Sequence, residues 1–301
     1  MTPAKRLFYC DHYTIPLPSG HKFPMSKYAL IRELLAPDGL YSFACAPLAD
    51  AATVKLAHDP DYVEAFLEGR LAPHEIRRIG FPWSEQLVKR SLGSVGGTLA
   101  ATAEALATGW GGNLAGGTHH AFRSEGSGFC VFNDIAVAIL WARAQASRER
   151  AAVIDLDVHQ GDGTAHIFAQ DPDVLTTSMH CRVNFPFRKQ RSRIDVELAE
   201  GATDEQYIAA LASLLPEVWR WRPAIVFYQS GVDGLESDRL GKLKLSHEGL
   251  LQRDRMVMEG VRERAIPFVI TLGGGYSNPI ELTALAHANT FRIAADVFGR
   301  C

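Results

Sequence analysis

The sequence predicts an α/β fold in which helices cover both faces of a parallel sheet. From residue 151 onward, short apolar runs alternate with longer helical patterns, an order typical of parallel sheets. Polar clusters follow directly after several apolar runs, and the sites of such sheets gather at the carboxyl ends of the strands. No internal repeat, low-complexity segment or linker divides the chain, so residues 1–301 are predicted to form a single domain.

Short apolar runs bounded by turn-forming residues predict the strands, because a strand buried on both faces shows little alternation. The first run ends in a loop whose prolines and glycine break regular structure. The predicted strands cover residues 6–10, 53–57, 113–115, 151–157, 174–179, 224–229 and 267–272.

Capping residues mark the starts of several helices. Asp59 precedes Pro60, which favours the first helical turn, while Ser84 and Asn133 can each accept a backbone hydrogen bond. Glycines within the helix that follows Ser84 permit close packing against the sheet. The predicted helices cover residues 26–35, 59–67, 84–107, 133–146, 162–169, 204–219, 247–264 and 279–297, with loops at 182–201 and 230–245.

Composition excludes several classes of protein. The chain carries 31 basic and 34 acidic residues, a formal net charge of −3, which argues against a general nucleic-acid-binding surface. No apolar stretch is long enough to cross a bilayer, and residues 1–9 lack the features of a secretory signal, so we expect a cytoplasmic protein without a membrane partner. The five cysteines are scattered, so neither a disulfide framework nor a cysteine zinc site is expected, and the oligomeric state stays open.

Residues 151–163 combine an apolar strand with a dense group of ionisable side chains. Asp155, Asp157 and His159 are spaced so that a strand would place them on one face. Burying an unpaired carboxylate costs on the order of several kcal/mol, so the cluster predicts a cation, with Asp157 and His159 as ligands. The alternative is a satisfied polar strand end in which an aspartate caps the next helix.

Asp233 is the candidate for a third ligand. It follows the strand predicted at 224–229 and is flanked by glycines. One histidine and two carboxylates would leave positions for water and substrate, as a catalytic zinc requires. Zinc is favoured, although iron or manganese would also suit these ligands. Alternatively, Asp233 could simply form a turn, as a lone aspartate in a loop often does.

His119 and His120 follow a glycine pair at the end of another predicted strand. Asp155 and Asp162 could each orient one imidazole, because an aspartate on one ring nitrogen fixes the tautomer and leaves the other nitrogen for a substrate. The pair could then supply a general base and a general acid. Adjacent histidines are also often incidental.

Tyr276 ends a run of three glycines after the last predicted strand. The GxGxxG spacing is absent, so a dinucleotide-binding loop is not predicted. The glycines could let Tyr276 turn inward and donate its hydroxyl to a developing oxyanion, or the tyrosine could simply pack in a turn. Likewise, the loops at 126–129 and 184–187 could present phenylalanines to a narrow channel or to the core.

Five motifs occur in order along nearly the whole chain. They are Gly-Gly-Thr-His-His (116–120), Gly-Phe-Cys-Val-Phe-Asn-Asp (128–134), Asp-Leu-Asp-Val-His-Gln-Gly-Asp-Gly (155–163), Ser-Gly-Val-Asp (230–233) and Gly-Gly-Gly-Tyr (273–276). With them the sequence resembles the metal-dependent histone deacetylase family, which includes acetylpolyamine amidohydrolases and acetoin-utilisation proteins. Its short length and the segment 182–207 make it most similar to bacterial class IV-type members.

The resemblance implies the arginase/deacetylase fold, with a mostly parallel central sheet of about eight strands. It also implies hydrolysis of the amide of N-acetyl or longer N-acyl lysine in proteins or peptides. Acetylpolyamines or other small acylated amines are the alternative substrates. The implied ligands of Zn²⁺, with Fe²⁺ as the alternative metal, are Asp157, His159 and Asp233. The implied catalytic residues are His119 backed by Asp155, His120 backed by Asp162, and Tyr276.

Structural potassium and a substrate channel are implied in the same way. One K⁺ set comprises Asp155, Asp157, His159, Ser178 and Met179, and a second comprises the backbone carbonyls of Phe168, Asp171 and Val174. The channel residues implied are Gly128, Phe129 and Phe185.

Two departures from the family pattern stand out. Gln160 occupies the place of a second histidine in many relatives, a change expected to have little mechanistic consequence. The second is that no residue matches the rim aspartate that holds the substrate backbone in class I relatives. The basic residues at 182–193 are interpreted as solvated surface.

Two other functions are alternatives on the same fold. One is a non-catalytic acyl-amine-binding protein. The other is a ureohydrolase-type dimetal enzyme, although the second set of metal carboxylates is missing.

Overall fold

The computed structural model describes residues 5–146 and 150–299. Within these ranges eight strands form one sheet, and each neighbouring pair runs parallel. The strands are β1 (Lys5–Tyr9), β2 (Tyr41–Cys45), β3 (Trp110–Asn113), β4 (Ala151–Asp155), β5 (Val174–Cys181), β6 (Ile194–Leu198), β7 (Ile225–Gln229) and β8 (Phe268–Thr271). Their order is β2-β1-β3-β8-β7-β4-β5-β6, which confirms the predicted parallel α/β sheet. The expectations for residues 1–4 and Cys301 fall outside the described residues.

Helices flank the sheet. They are α1 (Lys27–Leu35), α2 (Ala51–Val54), α3 (Pro60–Leu67), α4 (Pro73–Ile79), α5 (Glu85–Thr108), α6 (Asp134–Ala146), α7 (Asp162–Ile167), α8 (Asp204–Trp221), α9 (His247–Glu263) and α10 (Ile280–Phe298), with a 3₁₀ turn at Ala36–Asp38. In the described part of the chain, no helix combines the length and apolar character needed to cross a membrane.

Three predicted helix caps form. The Asp59 carboxylate accepts from the backbone N–H of Asp61 at 2.9 Å, and the Ser84 hydroxyl accepts from Leu87 at 3.1 Å. Asn133 accepts from Ala136 at 3.0 Å. Each bond satisfies a backbone donor that the first helical turn leaves without a partner, so the predicted starts of α3, α5 and α6 are confirmed.

The strand predicted at 53–57 is wrong. Asp50 accepts from the backbone N–H of Thr53 at 2.7 Å, and the chain turns into α2 instead. The β-branched residues Thr53 and Val54 favoured a strand by propensity, but a local cap decided the conformation.

Strand β3 covers Trp110–Asn113, earlier than the predicted 113–115. Its two glycines disfavour a strand by propensity, but α5 packs so close to the strand that a side chain at Gly111 would clash with the helix backbone. A Cβ on Gly111 would lie 2.0 Å from the carbonyl oxygen of Ala101 in α5. Close backbone approach therefore selects glycine here against its strand propensity.

Three elements were missed, of which two are the edge strands. β6 lies inside the loop predicted at 182–201. Its first four residues alternate between half-buried and exposed, and Leu198 is buried. β2 forms the opposite edge and is also only partly buried. Edge strands bury one side at most, so neither carries the continuous apolar run that identified the central strands. The third, α4, follows a proline at its first position.

The central strands determine where polar loops meet. β4, β5, β7 and β8 are buried along their whole length. Because all run parallel, the loops after β4, β7 and β8 emerge at one edge of the sheet. These loops contain the three motifs that begin at Asp155, Ser230 and Gly273.

A buried ion pair supports the loop after β7 from behind. The Arg253 guanidinium donates to Asp254 Oδ1 from Nε at 2.8 Å and to the carbonyl oxygen of Gly231 at 2.5 Å. Tyr228 and Thr290 donate their hydroxyls to the same carboxylate at 2.5 and 2.6 Å. Both charged side chains are 1% exposed, so the charge of each offsets the cost of removing the other from water.

We expect Asp254→Ala to destabilise the protein by about 3–5 kcal/mol, because it leaves the buried Arg253 guanidinium without a carboxylate. Asp296→Ala is the matched control, since it removes an exposed partner of Arg255 and should cost about 1 kcal/mol or less. Equilibrium urea unfolding measures both. Equal losses in the two variants would contradict the role assigned to the buried pair.

Candidate active site

Asp157, His159 and Asp233 converge at the carboxyl edge of the sheet. Their candidate ligand atoms all lie within 4.8 Å of one another. His159 Nδ1 is 3.1 Å from Asp157 Oδ1 and 3.0 Å from Asp233 Oδ2. Burial and the neighbouring Asp157 carboxylate raise the pKa of Asp233 to about 7. Two facing buried carboxylates and one imidazole form a donor set that fits a divalent cation.

Backbone donors from two loops hold the carboxylates. Asp157 Oδ2 accepts from the N–H of Gly274 at 2.7 Å, and Asp233 Oδ1 accepts from Val158 at 2.9 Å. A Cβ on Gly274 would lie 1.8 Å from Asp233 Oδ2. The glycine run after β8 therefore allows backbone to approach the carboxylates closely.

The strand predicted at 151–157 is shorter than expected. Strand β4 ends at Asp155 and not at residue 157, so Asp157 and His159 lie in the turn beyond it. The turn is fixed locally, because the N–H of Asp157 donates to Asp155 Oδ1 at 3.1 Å and that of His159 donates to Asp157 Oδ1 at 3.0 Å. Side-chain capping of the turn, and not strand pleating, brings the residues together.

His119 and His120 each have an aspartate on Nδ1. His119 Nδ1 lies 2.7 Å from Asp155 Oδ2, and His120 Nδ1 lies 2.6 Å from Asp162 Oδ1. The ring centroids are 4.1 Å apart. With Nδ1 engaged in both rings, Nε2 is left for other partners, and His119 Nε2 is 3.9 Å from Asp157 Oδ1.

The two imidazoles differ in charge. Burial opposes protonation of His119, but the Asp155 and Asp157 carboxylates outweigh it and raise its pKa to about 9. Burial and the neighbouring His119 lower the pKa of His120 to about 4. In the metal-free protein the pair therefore combines an imidazolium with a neutral imidazole at pH 7.

A cavity of about 660 Å³ opens beside these groups. Tyr276, Gly128, Phe129 and Phe185 line it, as do both histidines of the pair. The Phe185 ring lies 5.0 Å from that of His120. A Cβ on Gly128 would lie 2.7 Å from the His120 ring, so a larger residue would push into the imidazole.

Helix α1 contributes cavity residues that sequence reasoning missed. Lys27 is 1% exposed, donates from Nζ to the carbonyl oxygen of Gly273 at 3.0 Å and lies 5.3 Å from the centre of the Tyr276 ring. Tyr28 of α1, and Phe23 just before the helix, line the same cavity. The sequence predicted only a helix at 26–35, and nothing in its residues indicated that Lys27 would be buried beside Tyr276.

The residues expected to hold potassium are distributed over two places. Asp155 and Ser178 are register partners on β4 and β5. In the second set, Arg193 donates to the carbonyl oxygen of Val174 at 3.0 Å and to that of Asp171 at 2.8 Å. A cation on those two oxygens would share them with the Arg193 guanidinium, a neighbouring positive charge. Both potassium sets stay predictions.

We expect Asp155→Asn to lower the pKa of His119 in the metal-free protein from about 9 towards its ordinary value of 6.5. Because the folded-state pKa is raised, the ion pair stabilises the fold fully below pH 6.5 and loses this effect as the pH rises through 9. NMR titration of the imidazole signals measures the shift. Asp171→Asn, at a carboxylate paired with Arg143, should leave His119 unchanged, and an unchanged pKa in Asp155→Asn would refute the assignment.

Comparison with known proteins places this geometry in a family. The family model described as histone deacetylase domain matches residues 21–291. The chain is 44% identical to an uncharacterized protein of Picosynechococcus sp. over 96% of this chain and 98% of that one. It is 33% identical to histone deacetylase 2 of Arabidopsis thaliana over 85% and 70% of the two chains, and 32% identical to histone deacetylase clr6 of Schizosaccharomyces pombe over 72% and 55%. The chain belongs to the histone deacetylase family.

Proposed function

We propose that the protein is a zinc-dependent deacylase that hydrolyses the amide of N-acetyl or longer N-acyl lysine in proteins or peptides. One observation carries this proposal: a donor set of two carboxylates and an imidazole lies against two aspartate-backed histidines on one cavity wall. Such a wall combines a cation site with acid–base groups, the requirements for amide hydrolysis. Membership of the family supports the same reaction.

In this proposal Asp157, His159 and Asp233 hold the zinc ion. The bound ion would supply Lewis acidity, polarising the amide carbonyl and lowering the pKa of the attacking water towards about 7. The fold leaves Asp157 and His159 facing the cavity, where an acyl group could reach them. Iron or manganese would suit the same ligands, so metal analysis is part of the test.

The two histidines take separate roles. His120 is neutral at pH 7 and has Nδ1 held by Asp162, so its Nε2 would accept the proton of the attacking water. The same atom would then return the proton to the leaving amine. His119 has Asp155 on Nδ1, which favours its protonated form, and in that form it would stabilise negative charge that develops beside it.

Tyr276 would act on the carbonyl oxygen. Burial raises the pKa of its hydroxyl, so the group stays protonated and able to donate a hydrogen bond. The backbone around it is fixed, because its N–H donates to Asp238 Oδ2 at 2.6 Å and its carbonyl accepts from Arg239 at 3.0 Å. A fixed donor stabilises an oxyanion without reorganisation at the moment of reaction.

The charges around the cavity favour an acyl-lysine over an acetylated polyamine. Among the described lining residues the cationic side chains are Lys27, Arg78, Lys242 and the protonated His119, of which Arg78 pairs with Glu125 and Lys242 with Glu200. The one carboxylate on the lining, Asp157, belongs to the proposed metal set. A polyamine would bring further ammonium groups to this wall, where like charges repel. A lysine in a peptide brings none beyond the reacting amine.

A substrate panel tests this function. We expect the purified zinc-loaded protein to release acyl groups from acetyl-lysine or long-chain acyl-lysine peptides with a kcat/KM at least about tenfold above that for acetylated polyamines. Chelator treatment should remove the activity and added zinc should restore it. Binding of the peptides without turnover would instead support an acyl-amine-binding protein, and preference for polyamines would reverse the substrate assignment.

We expect Tyr276→Phe to lower kcat by about 10²–10³ with little change in zinc content, because it removes one oxyanion donor. Tyr41→Phe is the control, since its hydroxyl donates to the carbonyl of Phe291 far from the cavity and should leave kcat unchanged. Steady-state kinetics on the preferred peptide decide, and near-normal turnover in Tyr276→Phe would exclude the role.

A further inference from the structure

Gln160 follows the proposed ligand His159 and is 1% exposed. Its side-chain amide pairs with the backbone of Gln190: Nε2 donates to the Gln190 carbonyl at 2.7 Å, and the Gln190 N–H donates to Oε1 at 2.8 Å. Nε2 also donates to Asp195 Oδ1 at 2.8 Å. Both donors and the acceptor of a buried amide are thereby satisfied.

Gln190 lies in the connection between β5 and β6, residues 182–193, which we name the mouth loop. Phe185 of the mouth loop packs at 5.0 Å from the His120 ring, and Phe187 is 88% exposed. Both side chains line the cavity. The position of the mouth loop therefore sets the shape of the wall beside His120.

Gln160 fixes one side of the mouth loop, and Asn184 fixes the other. The Asn184 amide donates to the carbonyl oxygen of Leu240 at 2.7 Å and accepts from the N–H of Lys242 at 3.1 Å. Asp195, which accepts from Gln160, also accepts from the N–H of Ser192 at 2.9 Å. Of these anchors, Gln160 alone is adjacent in sequence to a proposed metal ligand.

We propose that Gln160 is a positioning residue that anchors the mouth loop to the turn after β4, where two of the proposed metal ligands lie, and so shapes the acyl-lysine entrance beside His120. The substrate part of this inference rests on the proposed function, whereas the anchoring part does not. The basic mouth loop is then an ordered wall of the cavity and not merely a solvated surface.

The contacts of Gln160 match the chemistry of an amide side chain. A primary amide presents a donor and an acceptor side by side, which matches the N–H and C=O of one peptide group. A carboxylate would lose the donor and face both the Gln190 carbonyl and Asp195, whereas methionine has similar length but no strong donor or acceptor. Gln160→Met therefore removes the anchor while preserving most of the packing.

Limited trypsin digestion tests the anchor without reference to activity. The mouth loop offers Arg188, Lys189 and Arg191 as cleavage sites. In Gln160→Met the loop loses its hydrogen bonds to residue 160, so we expect trypsin to cleave it at least about tenfold faster than in wild type. Gln229→Met is the matched control. It makes the same change at a buried glutamine of β7 whose side-chain amide has no hydrogen-bond partner among the described residues, and the cleavage rate in the mouth loop should equal that of wild type.

Kinetics test the consequence for substrate. Gln160→Met should raise KM for the preferred acyl-lysine peptide about five- to tenfold, with a smaller change in kcat and unchanged zinc content, because the entrance and not the chemistry is altered. A kcat loss with normal KM, or loss of zinc, would overturn the positioning role. Absence of deacylation by wild type would refute the proposed function, while the digestion rates would still decide the anchor.

Asp195→Ala provides a second route if Gln160→Met does not fold. The residue is exposed on β6, and its loss removes one acceptor of Gln160 and the contact to Ser192. We expect faster cleavage in the mouth loop than in wild type. Cleavage at the wild-type rate in the folded variant would contradict the inference.

Discussion

The structure depends most on the cost of holding two buried carboxylates against one another. Asp157 and Asp233 are 1% and 0% exposed, and each faces the same nitrogen of His159. Neighbouring negative charges in a low-dielectric site repel strongly unless a cation or hydrogen-bond donors compensate them. Backbone N–H groups from the turns after β4 and β8 supply part of this compensation, which constrains the paths of both loops.

The parallel sheet explains why much of the site could be predicted from the sequence. A parallel sheet brings the carboxyl ends of its strands to one edge, so polar residues after three separate apolar runs had to meet. The structure does place Asp157 beside Asp233 and both histidines beside their aspartates. The central strands were predictable for the same reason, since full burial on both faces leaves a continuous apolar run.

Features that depend on close approach or partial burial could not be predicted in this way. Edge strand β6 buries one side only. Strand β3 contains Gly111 because α5 packs too close to leave room for a Cβ. Lys27 joins the cavity because α1 packs beside the glycine turn, a contact between residues 246 positions apart. Such contacts have no local signature, because they are fixed by the packing of whole elements.

The segment after β4 shows how one turn can serve several groups. Asp155 ends the strand and holds His119, Asp157 and His159 belong to the proposed metal set, Gln160 reaches the mouth loop, and Asp162 holds His120. Because these residues lie within eight consecutive positions, a shift of the turn would disturb the donor set, both imidazoles and the cavity wall together. The polar side chains of this segment are hydrogen-bonded to the histidine pair, to the loops after β7 and β8, and to the mouth loop, and these contacts hold the turn in place.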